Sequence, residues 1–322
     1  MKLDGVHHIT AITANAQQNV DFYAGTLGLR MVKKTVNQDQ PSVYHLFYAD
    51  EEGTPGADMT FFEFPDAAQG RPGQGMVHRI LWRVGSEDAL GFWEERLTAA
   101  GSDPSRSGDT LRFHDPEGLE HELVVSTVED QPLIADHPEV PAEHALQGFE
   151  GARAFTSDVE RSRSLLEENL GFHRLTHQHE DLSEQSSSPG FSDGWEVRGK
   201  RRGGTWAYDE APADRGIQGA GTVHHIAWAS ETAEHEGWRQ RAIEGGAHPT
   251  PVIDRFWFES IYFREPSGVL FEIATMDPGF SVDEDPEHLG EALILPPFLE
   301  DRREEIERVL TPVTNPRAAS SS

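Results

Sequence analysis

An internal repeat constrains this chain more than any other feature. Val6-His7-His8-Ile9 near the start returns far downstream as Val223-His224-His225-Ile226, and the flanking segments return with it. Val6–Thr13 aligns with Phe149–Thr156, and Leu27-Gly28-Leu29-Arg30 aligns with Leu170-Gly171-Phe172-His173. Both pairs share an offset of 143 (149 − 6 and 170 − 27), so no gap intervenes. A second series joins Val77-His78-Arg79-Ile80-Leu81-Trp82 to Val223-His224-His225-Ile226-Ala227-Trp228, and Phe113–Leu123 to Phe263–Ile273. The chain therefore reads as four related modules in two halves. Modules one and two occupy 1–140, modules three and four occupy 145–276, and a tail with a helix over Leu299–Leu310 fills 277–322.

Each module has the same local grammar. A β-rich run opens it, an amphipathic stretch such as Asn19–Leu27 follows with apolar residues at helical spacing, and Gly28 or Gly171 stands where the helix stops. Strands come next, the last pair joined by Asp115-Pro116-Glu117-Gly118 or Glu265-Pro266-Ser267-Gly268, with proline and glycine placed for a tight reversal. The order is β-α-β-β-β, which makes the class α+β.

Composition sets outer bounds. The chain has 322 residues, 36% of them hydrophobic, enough for two modest cores. No apolar run is long enough to span a bilayer, and Met1-Lys2-Leu3-Asp4 enters the first strand without a signal peptide. Cysteine is absent, which removes disulfides and thiolate metal sites. A cytoplasmic enzyme with no membrane partner is the simplest expectation. The formal charge is −29, from 56 acidic against 27 basic residues, and the only lysines are Lys2, Lys33, Lys34 and Lys200. Such a surface argues against nucleic acid as a partner, because phosphate binding rests on cationic neutralisation. It suits a halophilic cytoplasm, where salt screens self-repulsion; the plainer alternative is an ordinary acidic cytosolic protein.

Strand periodicity selects one histidine of each pair. Adjacent strand residues face opposite sides, so His8 and Thr10 share one face while His7 and Ile9 share the other. The same count groups His225 with Ala227, and Glu272 with Leu270 and Ala274. If the apolar neighbours mark the side under the helices, His8, His225 and Glu272 look into the concave side and His7 and His224 look away. A facial set of two imidazoles and one carboxylate suits non-haem Fe(II) and oxygen chemistry. Burying Glu272 between Phe271 and Ile273 is costly without a cation or donors. The other modules act as internal controls: Gly151 replaces His8, Arg79 replaces His225, and Glu122 survives at the place of Glu272, where pairing with Arg79 is expected. Asp58 reads as the first module's counterpart of Glu272 and as an acid near the metal, with Glu63 on the solvent side. His173, His177 and His179 read as a loop cluster.

These residues carry a resemblance. Val6-His7-His8-Ile9-Thr10, Tyr44-His45-Leu46-Phe47-Tyr48-Ala49-Asp50, Gly53-Thr54-Pro55-Gly56, Val223-His224-His225-Ile226 and Leu295-Pro296-Pro297-Phe298-Leu299 together resemble the vicinal oxygen chelate superfamily, and within it the ring-cleaving hydroquinone-type dioxygenases, over about the whole length. The resemblance implies four βαβββ modules paired, one with four and two with three, into two open, cupped β-sheet barrels. It implies Fe(II), with Mn(II) as the alternative, bound by His8, His225 and Glu272. It also implies substrate-contacting or supporting roles for His7, Thr10, His224, Arg255 and Tyr262. The expected activity is O2-dependent cleavage of a hydroquinone or catechol type ring, in aromatic compound degradation. The partners would be a small aromatic substrate and O2, with a homo-oligomer left open. Two other readings stand beside it: a metal-dependent glyoxalase-like isomerase, for which a ligand from the region of Asp58 would be a fourth, and a metabolite-binding protein of the same fold without catalysis.

Overall fold

The computed structural model describes residues 1–175 and 193–316; His177 and His179 lie outside the described residues. Each module runs as its repeat suggests. Module one comprises β1 (Val6–Thr13), α1 (Ala16–Val20), β2 (Arg30–Asn37), β3 (Gln40–Ala49) and β4 (Asp58–Glu63). Module two comprises β5 (Val77–Val84), α2 (Glu87–Ala99), β6 (Ser105–Ser107), β7 (Thr110–His114) and β8 (Glu120–Val125). Module three holds β9 (Phe149–Thr156), α3 (Glu160–Ser164), β10 (His173–Arg174), β11 (Asp193–Arg198) and β12 (Gly203–Glu210). Module four holds β13 (Thr222–Ser230), α4 (His235–Glu244), β14 (Ile253–Asp254), β15 (Glu259–Arg264) and β16 (Leu270–Thr275), and the tail carries α5 (Arg303–Val309). No described helix is long and apolar enough to cross a membrane.

Local chemistry explains the helix boundaries. The Asn15 side chain accepts from the Gln18 N–H and the Ser86 hydroxyl from the Ala89 N–H, each satisfying a donor that a first helical turn leaves free. After α1 and α3 the coil widens by one residue, with Leu27 N–H donating to Phe22 O at 2.8 Å and Leu170 N–H to Leu165 O at 2.9 Å. Gly28 (φ 71°) and Gly171 (φ 74°) then adopt the left-handed conformation that ends the helix at little cost.

The strands form two eight-stranded sheets, ordered β14-β15-β16-β13-β1-β4-β3-β2 and β10-β11-β12-β9-β5-β8-β7-β6. Modules one and four thus share one sheet and modules two and three the other, within a single chain. In each sheet the opening strands of two modules meet antiparallel at the centre, and each opening strand lies parallel to the last strand of its own module. Side-chain alternation sorts the faces. On β3, Tyr44, Leu46 and Tyr48 enter the main core under the helices, whereas Phe47 and Ala49 enter a smaller cluster in the cup. On β16, Phe271 and Ile273 go to the main core and Ala274 to the cup. Glu272 therefore points into the cup.

Modules one and two are joined through a buried polar chain. Trp82 Nε1–H donates to His121 Nδ1 at 3.1 Å, so neutral His121 carries its proton on Nε2 and donates to the Tyr23 oxygen at 2.9 Å. Tyr23 in turn donates to Asp115 Oδ2 at 3.0 Å. The Trp82, His121 and Tyr23 donors of this network are all used, which is the condition under which such a network stabilises a core.

Candidate metal centre

Two β-bulges assemble the site. Where β1 meets β13, Val6 pairs with Trp228 and His8 with Ala227, leaving His7 as an extra residue; Thr10 pairs with His225 and Ala11 with Val223, leaving His224 as another. A bulge turns its extra residue out of strict alternation. His7 and His224 consequently join His8 and His225 at the site, against the parity expectation that they face away. His7 Nδ1 lies 2.9 Å from His8 Nδ1, and His224 Nδ1 lies 2.8 Å from His225 Nδ1. The second sheet carries the same irregularity at His78 and at Glu150, so the bulge belongs to the fold and was available for the site to use.

The three expected ligands converge. His8 Nε2 is 3.2 Å from His225 Nε2 and 3.2 Å from Glu272 Oε2, and His225 Nε2 is 3.0 Å from the same oxygen. Among the described residues this is the one set of His, Asp or Glu side chains whose candidate ligand atoms all lie within 4.8 Å. All three residues are buried.

Proton placement tests whether a cation fits. The Thr275 carbonyl, 3.1 Å from His7 Nε2, can only accept, so neutral His7 presents a lone pair at Nδ1. His8 Nδ1 must then donate, and a neutral His8 turns an unprotonated Nε2 toward Glu272. Burial, with His8 close by, pulls His7 down to about 3 and keeps it neutral. Burial and the neighbouring His225 likewise pull His224 to about 3. Glu272 Oε1 accepts from Ser260 Oγ at 2.5 Å, while Oε2, aimed at the two imidazoles, has no hydrogen-bond partner. Burial opposes the charge on Glu272, and it is positive charge carried by the adjoining His8 and His225 imidazoles that would hold the carboxyl well below the usual carboxylate range. Positive charge is what this corner requires, and a metal ion would supply it. The spacing agrees: donors at right angles on a metal with ~2.1 Å bonds stand about 3 Å apart, against about 3.4 Å for tetrahedral donors. The observed separations of 3.0 and 3.2 Å fall between these values, a spacing at which His8, His225 and Glu272 could hold one ion.

A pocket lined by His8, His45, Phe62, His225, Arg255 and Tyr262 opens on this corner, with Phe47, Trp257 and Phe258 completing its apolar wall. Phe258 lies 5.3 Å from the His7 ring and 5.4 Å from His8. Tyr262 is directly across from Glu272 on the neighbouring strand, its ring 5.7 Å from His225. The Arg255 guanidinium lies 5.5 Å from the Tyr262 ring centre and is paired with Asp39 at 3.0 Å. Burial, reinforced by the Glu272 charge, pushes the Tyr262 phenol above its ordinary value, so it stays a donor. Thr10 bonds Thr60 Oγ1 at 2.7 Å rather than a histidine.

Two expectations are corrected by register. Glu272 stands opposite Ala227, two residues past His225; the first module's matching place, two past His8, is opposite Thr60. Thr60, not Asp58, is therefore the counterpart of Glu272. Asp58 is buried beside His8 with neither oxygen bonded, and burial, followed by Asp50, pushes its acid well above the usual range. Glu63 is buried rather than solvated, because its Oε1 accepts from the Ala16 N–H at the start of α1. Three contributors carried no signal of their own in the sequence: Ser260; His45, bonded to Thr60 at 3.0 Å through Nε2; and Phe258.

Among the described residues the second sheet holds no equivalent. Arg79 donates to Glu122 at 3.0 Å and to Glu120 at 2.8 Å. At Gly151, the counterpart of His8, an added Cβ would lie 2.0 Å from the Thr205 carbonyl oxygen, so no side chain fits.

Comparison with known proteins agrees with this picture. The sequence profile described as Glyoxalase/Bleomycin resistance protein/Dioxygenase superfamily matches residues 5–123 and 145–273. MhqO of Bacillus subtilis, provisionally named a ring-cleaving dioxygenase, is 39% identical over 97% of this chain and 97% of its own. The chlorohydroquinone/hydroquinone 1,2-dioxygenase of Sphingobium indicum is 33% identical over 96% of both. A crystal structure of a provisionally named dioxygenase from Bacillus subtilis superposes with a TM-score of 0.88 at 38% identity, covering 98% of both chains. Glyoxalase I of maize shares the fold at a TM-score of 0.55 and 13% identity, covering 84% of this chain and 92% of its own.

Proposed function

The chain belongs to the Glyoxalase/Bleomycin resistance protein/Dioxygenase superfamily, and from that membership we propose that it is an Fe(II)-dependent dioxygenase opening a hydroquinone or catechol type ring with O2. The observation that carries the reading is the convergence of two imidazole nitrogens and one carboxylate oxygen on a buried corner beneath an aromatic-walled pocket. His8, His225 and Glu272 would hold the metal; Fe(II), or Mn(II) in its place, would supply a Lewis acid toward the diol and electrons toward O2. The protein's own groups do the rest. Phe47, Phe62, Trp257 and Phe258 take the flat ring and exclude water. Tyr262 and Arg255 donate to the substrate oxygens as charge gathers there. His7 fixes the tautomer and orientation of His8, and His224, partly open to solvent, is placed to pass a proton outward. Thr10, through Thr60, steadies His45 in the pocket wall.

Thr60 at the counterpart of Glu272 favours this reading over a glyoxalase-like isomerase, since the first module offers a hydroxyl there and no fourth carboxylate ligand. The test is metal analysis of anaerobically purified protein, then oxygen uptake with hydroquinone, catechol and a methylglyoxal-thiol adduct. The expected outcome is uptake matched mole for mole by loss of diol absorbance. Rearrangement of the thiol adduct without oxygen uptake would move the assignment to the isomerase, and ligand binding without turnover would move it to a binding protein.

We also infer a salt-rich cytoplasm as its setting. Charges that repel over about 30 Å at 0.01 M salt are screened within about 3 Å at 1 M, and this chain carries −29. Its thermal midpoint should therefore climb steadily from dilute buffer into molar KCl; a flat or falling midpoint would refute the halophilic reading.

A further inference from the structure

Lysine is scarce in this chain, yet Lys33 is fully buried. A bulge in β2 at Val32 turns it into the cup opposite Phe47. Its ammonium has three protons and three oxygens around it: Asp283 Oδ1 at 2.8 Å, the Phe280 carbonyl at 3.2 Å, and an ion pair with Glu284. It also lies 5.0 Å from the centre of the Trp257 ring and 5.7 Å from that of Phe280. All three oxygens belong to the tail beyond module four.

The same tail segment grips the pocket wall. Trp257 Nε1–H donates to the Asp283 carboxylate at 3.1 Å, and Gly279 N–H donates to the Trp257 carbonyl at 2.9 Å. Phe280 packs 5.1 Å from Phe47. Trp257 sits in a tight turn closed by Arg255 N–H to Phe258 O at 2.9 Å, with Phe256 in the left-handed region at φ 72°. A non-glycine residue there costs energy that surrounding contacts must offset. Arg255, Trp257 and Phe258 from this turn all line the pocket. Farther along, the tail lies against β2 through Ile294 N–H to Lys34 O at 2.9 Å, and at Gly290 an added Cβ would meet Met31 O at 2.1 Å.

We propose that Lys33, Asp283 and Glu284 form an internal latch through which the tail positions the Arg255–Phe258 turn, making Lys33 and Asp283 positioning residues for binding of the aromatic ring. Without the ammonium, the largely covered Glu284 carboxylate and the more open Asp283 carboxylate are left side by side, and the segment over 280–284 loses its anchor. Trp257 then loses both bonds that hold its turn inward. The ligands His8, His225 and Glu272 sit on central strands and keep their places. The binding arm of this inference rests on the dioxygenase reading; its structural arm does not.

The test is Lys33→Met in the full chain, a change that keeps the stem and removes the charge. Hydrogen exchange should quicken by about tenfold or more in both 254–259 and 277–285, while β1, β13 and β16 stay protected. Anaerobic titration of the metal-loaded protein with hydroquinone should show affinity about tenfold weaker, and turnover should show a raised KM with kcat changed less than about twofold. Trp257→Phe, which removes the N–H to Asp283 and part of the ring over Lys33, should quicken 254–259 alone with a smaller rise in KM. Opening of 277–285 with 254–259 and diol affinity unchanged would overturn the latch. If Lys33→Met loosened the whole sheet, an unchanged 254–259 in Trp257→Phe would overturn it equally. Failure of the parent protein to bind any diol would sink the proposed function, with the exchange arm still deciding the latch.

Discussion

Glu272→Ala should empty the metal centre and abolish ring cleavage, while Glu122→Ala should leave metal content and turnover within about twofold of the parent. The two glutamates occupy the same place in related modules, so their unequal fates follow from their neighbours. Glu272 Oε2 faces two imidazole nitrogens at 3.0 and 3.2 Å with no other hydrogen-bond partner, whereas Glu122 is held by Arg79 at 3.0 Å and Arg112 at 3.3 Å. Losing a group that merely supports a ligand costs metal affinity about 10–100-fold; losing one of three ligands should cost more. Removing Glu122 takes one carboxylate from Arg79, which keeps Glu120 at 2.8 Å, and one from Arg112, so the cost falls on stability rather than on metal. Iron analysis after anaerobic reconstitution and oxygen uptake with hydroquinone would read both variants, with circular dichroism confirming the fold. Equal iron loss in the two would refute the asymmetry.

The parts of this site that could be read from the chain are those governed by regular spacing. Gap-free offsets exposed the modules, and alternation on β13 and β16 put His225 and Glu272 on the cup face because Ile226, Trp228, Phe271 and Ile273 mark the other. Alternation failed for His7 and His224, since a bulge is one extra residue against a partner strand and leaves no compositional mark. Asp58 drew attention through its carboxylate, yet counting two residues from the ligand histidine, as His225 relates to Ala227 opposite Glu272, leads to Thr60. His45 and Ser260 enter from β3 and β15, whose registers with β4 and β16 are set by turn geometry and packing rather than by local pattern. The tail's role was hidden for a related reason: Phe280 and Leu289 stand singly in polar sequence, and only the folded sheet gives them a cup to fill.

Tyr262→Phe should retain metal but lose roughly 10²-fold or more in kcat, the order expected for removing one preorganised donor to a developing charge. Several features single out this phenol. It stands across the sheet from Glu272 and beside His225 at the metal corner, with the Arg255 guanidinium over its ring. Burial and the Glu272 charge keep it protonated, so it can donate throughout the neutral range, where a phenol of lower pKa would begin to lose its proton. The ring itself contributes to the pocket wall, and phenylalanine preserves that surface; the loss should therefore fall on kcat, with KM for hydroquinone changed much less. Thr10→Val, which acts only through Thr60 and His45, should cost about tenfold or less. If Tyr262→Phe turned over aromatic diols at the parent rate, Tyr262 would be a packing residue of the wall, and the donor to the substrate oxygen would have to be sought in Arg255 or His45.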